Sequence, residues 1–517
     1  MVVEVNRSML AVALVLGACQ GARAEVRIEQ HVEPGKPFLL SDGTTYEPGE
    51  RFRVNDEHRI PEAMVVQGDT VVLRAVGDGL DRATPPRWRI VRGWGNPKLA
   101  VDAADPRVAR FTADGYGINR IAFEATVDGR RVTVQAEVSV EFSTGNMLVS
   151  KEAIPLPPDA ETNPLVNPVD QQVTDHREQV TARNPKTGRL ITLWQVKFGG
   201  GDACPMGVAV MASDDHGITW KEKRYLYLRA GDNSGWGSLC WNPGGNNGEG
   251  EFLLWTCSHV RSPGNRIMRF RSRDDGHTWE HAGDYQAPLA KAFGQTNGIW
   301  TYFGVNRSIA TSRGTLVAPM VCHQYARAIW SDDAGHSWQA GNLDESFPQG
   351  NEDALVETLD GGKLILMARP PGGGHNRRFE STDGGKTWTA QEDTTLPTAM
   401  VNFGLDKIVE PGTAEHGCVV YSAAATRSGP HKGRQRLVVA VNRDPIGVAR
   451  DRWDVRLLWD ASCNYSDVLY VPDDKSLLVT VETMHPGVTG YSYAAIRYFK
   501  MSLRYWRNLP PYAPAAR

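Results

Sequence analysis

One eight-residue motif occurs four times in this chain. Ser213-Asp214-Asp215-His216-Gly217-Ile218-Thr219-Trp220 returns as Ser272 to Trp279, as Ser331 to Trp338 and as Ser381 to Trp388, each a copy of S-x-D-x-G-x-[TS]-W. The copies stand 59, 59 and 50 residues apart, a spacing that fits one four-stranded propeller blade per repeat. Each copy reads mechanically. The Asp side chain accepts backbone N–H bonds inside a turn, the Gly permits a backbone that side chains disfavour, and the Trp packs between blades. Four copies in four blades cannot serve one active site, so these aspartates are read as structural.

A second periodic element sets the blade count. A turn followed by an apolar strand occurs at Lys186 to Ile191, Ser312 to Val317, Asp360 to Ile365 and Asp473 to Leu478, each read as the hairpin between the two inner strands of a blade. A further blade around 226–281 and another around 400–455, where the motif has decayed to Asn442-Arg443-Asp444-Pro445 before Trp453, bring the number to six. The expected fold class is all-β: a six-bladed β-propeller over 143–517, preceded by an immunoglobulin-like β-sandwich over 25–142. The sandwich reading rests on the alternation in Thr70 to Arg74 and Val132 to Val140, with Gly115-Tyr116-Gly117 and Trp88. The Pro-rich run Ile154 to Pro158 marks the passage between the two.

Composition agrees. The 52 Gly, 31 Pro and 15 Trp supply many tight turns and large packed rings, and 41% hydrophobic residues can fill a large core. With 57 Lys and Arg against 60 Asp and Glu the net charge is −3, and no basic face or tail offers the electrostatic footprint of nucleic-acid binding. Residues 1–24 read as an export leader, with an apolar stretch from Met9 to Gly17 after Arg7 and a small-residue cleavage site at Ala22-Arg23-Ala24. Leu16-Gly17-Ala18-Cys19 also fits a bacterial lipoprotein box, so a secreted or periplasmic protein and one lipid-anchored at Cys19 are both open. No later apolar run is long enough to be a transmembrane segment. No C-x-x-C pair, H-E-x-x-H or P-loop occurs, so neither a metal nor another cofactor is expected. Cysteines inside apolar runs, such as Cys257, are read as buried free thiols.

In a propeller the innermost strands converge on the axis, and polar residues at their starts are candidates for chemistry. Counted back from the hairpin leucines, Arg177 lies 13 positions before Leu190, Glu352 lies 12 before Leu364 and Tyr465 lies 12 before Leu477. Three blades thus bring Arg, Glu and Tyr to one level.

On these residues the chain resembles the exo-α-sialidases (neuraminidases), the family of Asp-box (BNR) six-bladed propellers. Asn351-Glu352-Asp353 through Met367-Ala368-Arg369 resembles the sialidase segment with the catalytic Glu and second Arg. Asn464-Tyr465-Ser466-Asp467 resembles its nucleophile motif, and Gly433-Arg434-Gln435-Arg436 the segment with the third Arg, where register favours Arg434 over Arg436. The resemblance implies a secreted retaining exo-glycosidase acting on a sialoglycan or other acidic glycan. Arg177, Arg369 and Arg434 would clamp the substrate carboxylate through bidentate bonds. Tyr465 would be the nucleophile, a neutral one that a carboxylate does not repel, with Glu352 taking its proton. Asp202 would be the acid and base, with Asp175 its competitor. Glu482 would steady the first Arg.

The resemblance breaks at the first arginine. Sialidases usually carry Arg-Ile-Pro there, whereas this chain has His176-Arg177-Glu178-Gln179. Its Arg59-Ile60-Pro61 lies too far from the first box to share a blade with it, and is read as coincidence. The altered motif leaves room for a different acidic or deoxy sugar. Two other readings stand beside the sialidase one: a propeller hydrolase or lyase for another polysaccharide, and a non-catalytic glycan-binding propeller. A scaffold has no reason to hold the full set of Tyr, Glu and three Arg.

Overall fold

The computed structural model describes residues 26–33, 38–39, 45–46, 65–83, 86–149, 175–197, 206–228, 234–258, 266–294, 301–322, 325–341, 351–370, 375–427, 433–444, 451–483 and 495–513. The leader with Cys19, the Arg59-Ile60-Pro61 triplet, the Pro-rich passage and Asp202 lie outside the described residues. No described helix is long and apolar enough to cross a membrane.

Two compact units divide the chain. One takes in residues up to 39, 45–144 and 504–508; the other takes in 40–44, 145–503 and 509–517. In the first, strands Arg27–Glu33, Thr70–Val76, Val108–Thr112 and Lys98–Val101 form one antiparallel sheet, while Arg87–Arg92, Gly117–Val127 and Arg130–Val149 lie side by side in another. Alternation at period two sends Val71, Leu73 and Ala75 inward, where they share a core with Phe111, Phe123 and Val138. Trp88 meets Phe123 edge-on at 4.9 Å, and its indole N–H donates to the Pro106 carbonyl at 3.0 Å.

Among the described residues the second unit is built of six sheets, the fifth and sixth continuous with each other. The first runs Asp175–Arg183, Leu190–Lys197, Met206–Ser213, Lys221–Leu228, each strand antiparallel to the last. The second starts at Ser234–Asn242, the third at Thr301–Phe303 with Ile309–Ala310, the fourth at Asn351–Glu357 and the fifth at Gly404–Lys407. The long strand Trp453–Val471 serves twice: its first half ends the fifth sheet, and its second half begins the sixth beside Ser476–Thr483 and Ala495–Ser502. The end of Arg130–Val149 completes that sixth sheet. Every residue of Leu190–Lys197 and Met206–Ser213 is buried, because stacked neighbours cover a middle strand on both faces, and these strands read as apolar runs rather than alternations.

The four boxes do in the structure what their composition dictates. Asp215, Asp274, Asp333 and Asp383 each accept the backbone N–H and the hydroxyl of the Thr or Ser four residues on, and the box Ser bonds the N–H of the box Gly. The box glycine has φ near +85°, a left-handed turn for which glycine has no steric cost. Trp338 then drops into a cluster with Leu253 and Trp255 of the second sheet and Leu316 and Met320 of the third. Trp388 does the same between the third and fourth. The boxes therefore join sheet to sheet.

The first strands of the fifth and sixth sheets approach closely. A Cβ on Gly404 of the fifth sheet would fall 2.3 Å from the Val468 nitrogen of the sixth. Cys240, Cys257, Cys418 and Cys463 are buried and free.

Candidate active site

Five of the six sheets carry a non-glycine residue in the left-handed region at or just before the innermost strand: Glu178 (φ 60°), Trp236 (49°), Val305 (58°), Glu352 (31°) and Met400 (57°). Strand pairing slips at these points, between Arg177 and Val180, Gly235 and Ser238, and Asn351 and Asp353; in the sixth sheet the slip falls between Cys463 and Ser466 and holds Tyr465. A bulge adds a residue and re-aims a side chain. Strained backbone of this kind persists only where its surroundings fix it, and it gathers at functional sites.

Two of these bulges meet. The Tyr465 hydroxyl of the sixth sheet donates to Glu352 Oε1 of the fourth. Arg369, from the strand beside Glu352, binds Glu352 Oε2 at 2.5 Å and reaches the Tyr465 oxygen at 3.3 Å. Arg177 and Arg434 flank the phenol, their guanidinium carbons 4.9 and 5.4 Å from the ring centre. Three guanidinium groups therefore converge on one buried tyrosine.

Burial pushes the Tyr465 hydroxyl well above its ordinary value, and the nearby Glu352 carboxylate pushes the same way, against the three arginines. The phenol is neutral at rest, and Glu352 is placed to take its proton. Burial works against the Arg369 charge, but Glu352 and Tyr465 outweigh it and the guanidinium is held firmly protonated. Its Nε is buried with no acceptor among the described residues.

Glu482 anchors the group from beneath. Fully buried, it accepts Glu178 N–H at 2.7 Å on Oε1, and on Oε2 Asn464 Nδ2 at 2.5 Å with Arg177 Nε and Tyr465 N–H at 3.4 Å. Gln179 Nε2 fastens the Tyr465 carbonyl at 2.9 Å. Arg434 bonds Asn464 Oδ1 and, at 3.0 Å, the Met400 carbonyl.

The structure thus brings together Arg177, Glu352, Arg369, Arg434, Tyr465 and Glu482. Arg436 turns away to Asp460, at 3.1 Å. Asp175 opens the inner strand of the first sheet opposite Lys197. One assignment shifts in register. The residue of the first sheet that shares the left-handed position of Glu352 is Glu178, the neighbour of Arg177. Glu178 stands 12 positions before Leu190, the same interval as Glu352 and Tyr465 from their leucines. Sequence reasoning passed over it although an exact count would have found it. It also missed Arg307 of the third sheet, which carries no motif and whose guanidinium pairs with buried Asp467. Among the described residues no group of three or more His, Cys, Asp or Glu could hold a metal ion.

The buried tyrosine with its carboxylate acceptor, ringed by guanidinium groups, is carried by a sialidase-type BNR propeller. A family model, the BNR repeat-like domain, matches residues 188–479, and the chain belongs to that family. A sialidase from Bacteroides fragilis (strain YCH46) is 27% identical over 267 residues, 46% of this chain and 47% of the relative, so the match spans about half of that protein. Among solved structures, the Hadza microbial sialidase Hz136 superposes with a TM-score of 0.54 at 16% identity, over 92% of this chain and 99% of its own. The NanB sialidase from Streptococcus pneumoniae gives 0.52 at 12% identity, over 95% and 96%. These two likenesses concern the fold.

Proposed function

We propose that this protein is an exported, retaining exo-glycosidase that removes a terminal α-linked sialic acid or a related acidic sugar from glycans. The observation that carries this reading is the Tyr465 to Glu352 hydrogen bond set among Arg177, Arg369 and Arg434. The sialidase relative and the sialidase-like fold support it.

The chemistry follows from charge. A sugar with a carboxylate on its anomeric carbon repels an anionic nucleophile, so a neutral phenol is the suitable attacker. The three guanidinium groups neutralise that carboxylate and fix its plane. As the Tyr465 oxygen bonds to the anomeric carbon its proton passes to Glu352, which removes the obstacle of a phenol pKa raised by burial. Asp202, the acid of this scheme, would protonate the departing glycosidic oxygen and then draw a proton from the incoming water. Water displaces Tyr465 from the opposite face, Glu352 returns its proton to the departing phenol oxygen, and two inversions leave the configuration retained.

Release of 4-methylumbelliferone from its α-sialoside by the purified protein tests this reading. The parent is expected to turn over, and Tyr465→Phe to lose on the order of a thousandfold in kcat with its fold intact. A folded parent that releases no acidic sugar from any such glycoside would overturn the reading, and a screen of rhamnose-containing and other polysaccharides would then follow.

A further inference from the structure

Glu178 has no place in the scheme above, yet the fold treats it like the residues that do. It occupies the same bulge position in the first sheet that Glu352 occupies in the fourth and Tyr465 in the sixth. It is 4% exposed. Glu482 fastens both its backbone N–H and the guanidinium of the preceding Arg177, so the Glu178 backbone and the anion clamp share one buried anchor. Its Oε2 accepts the Trp236 N–H at 3.3 Å, from the matching bulge of the second sheet.

We propose, building on the glycosidase reading, that Glu178 governs capture of the anionic sugar: as a carboxylic acid it donates a hydrogen bond to the sugar beside Arg177, and as a carboxylate it repels the anion. The charged groups around it are Arg177 on its own strand, Lys197 on the next, Glu352 in the fourth sheet and Glu482 in the sixth; the buried Cys257 thiol is close enough in the second for Glu178 to push it upward. Burial pushes Glu178 up to about 7, and Glu482 and Glu352 add to this against Arg177 and Lys197. A bound sugar carboxylate brings one more negative charge and favours the acid further.

The sign is then fixed. Below about pH 7 the acid form is present and anion capture is intact. Above it, one proton must be taken up for each anion bound, so KM rises by up to about tenfold per pH unit while kcat changes less. A group that only packed beneath the strand would leave KM flat.

The experiment is KM and kcat of the full chain on the α-sialoside from pH 6 to 9, for the parent, Glu178→Gln and Glu178→Ala, each checked for folding by thermal melting. Glu178→Gln keeps a neutral donor, so its KM is expected to stay flat and to lie below that of the parent at pH 8.5. Glu178→Ala is expected to show a raised KM without the slope. A parent slope that Glu178→Gln retains, or a parent KM that does not rise, overturns the proposal while the glycosidase reading stands on the loss of activity in Tyr465→Phe. If the parent neither turns over the sialoside nor, by calorimetry at pH 6 and 8.5, binds free N-acetylneuraminic or glucuronic acid, both the reading and the gate fail.

Discussion

Arg307 of the third sheet and Asp467 of the sixth form a buried ion pair, with Nη1 at 2.9 and 3.0 Å from the two carboxylate oxygens. The same guanidinium also donates to carbonyls of Thr181, Leu405 and Val468, and Asp467 accepts the Thr181 N–H at 2.8 Å. One arginine thus ties four sheets together, and its partner Asp467 stands two residues from Tyr465. Burial pushes Asp467 up to about 6 despite Arg307. Without that cation the carboxylate would stand uncompensated, a loss of about 3–5 kcal/mol. Arg307→Met is expected to lose about this much at pH 7.5 in urea denaturation. The penalty should shrink at pH 5, where protonation of Asp467 relieves it. Equal losses at both pH values would contradict the pairing.

The box aspartates allow a second, opposite pH test. Burial opposes the Asp333 charge, but bonds from Ser337 and Ser331 outweigh it and hold the carboxyl down to about 2. A depressed folded value contributes stability above the unfolded value near 4, and that contribution is lost as pH falls toward 2. The group is exposed, so solvent screening keeps the effect small. Asp333→Ala is expected to cost about 1 kcal/mol at pH 7 and less at pH 3, in thermal or urea unfolding.

Trp255 carries the seam between the second and third sheets. Fully buried, it stacks on Phe303 at 5.4 Å and meets Tyr285 and Trp338 edge-on at 5.1 and 5.2 Å. Trp255→Ala would leave a cavity that three rings from different elements cannot collapse to fill, and a loss of about 3–5 kcal/mol is expected in urea denaturation. A loss below about 1 kcal/mol would mean that the seam repacks.

The division of labour in this chain explains what could be read in advance. The boxes and hairpins mark the sheets because their turns need particular residues: Ser and Asp to receive N–H bonds, Gly for the left-handed corner. The Tyr465, Glu352, Arg369 and Arg434 positions were legible because short motifs surround them. Glu178 was marked only by its interval of 12 residues before Leu190, with no motif around it and nothing in the sequence to announce its left-handed backbone. The strain at Glu178, Trp236, Val305, Glu352 and Met400 is imposed by neighbouring sheets, not by local preference. Arg307 was invisible for a related reason: its partners lie up to 161 residues away in sequence.

Glu482 offers the sharpest separation of charge from fold. Its two oxygens face donors only: the Glu178 N–H on one side, and Asn464, Tyr465 N–H and Arg177 on the other. Glu482→Gln must turn its NH₂ toward one of these sets, which leaves a buried donor facing a donor and removes the charge that holds Arg177. KM for an anionic substrate is expected to rise about tenfold through the loosened clamp, more than kcat falls. Burial already pushes the Glu482 carboxyl upward, against Arg177. Acidification therefore protonates it in the parent and should bring the parent KM toward that of the variant from the acid side, opposite to the rise that Glu178 sets on the alkaline side. A variant whose KM already matches the parent at pH 7 would show that Arg177 is held without this charge.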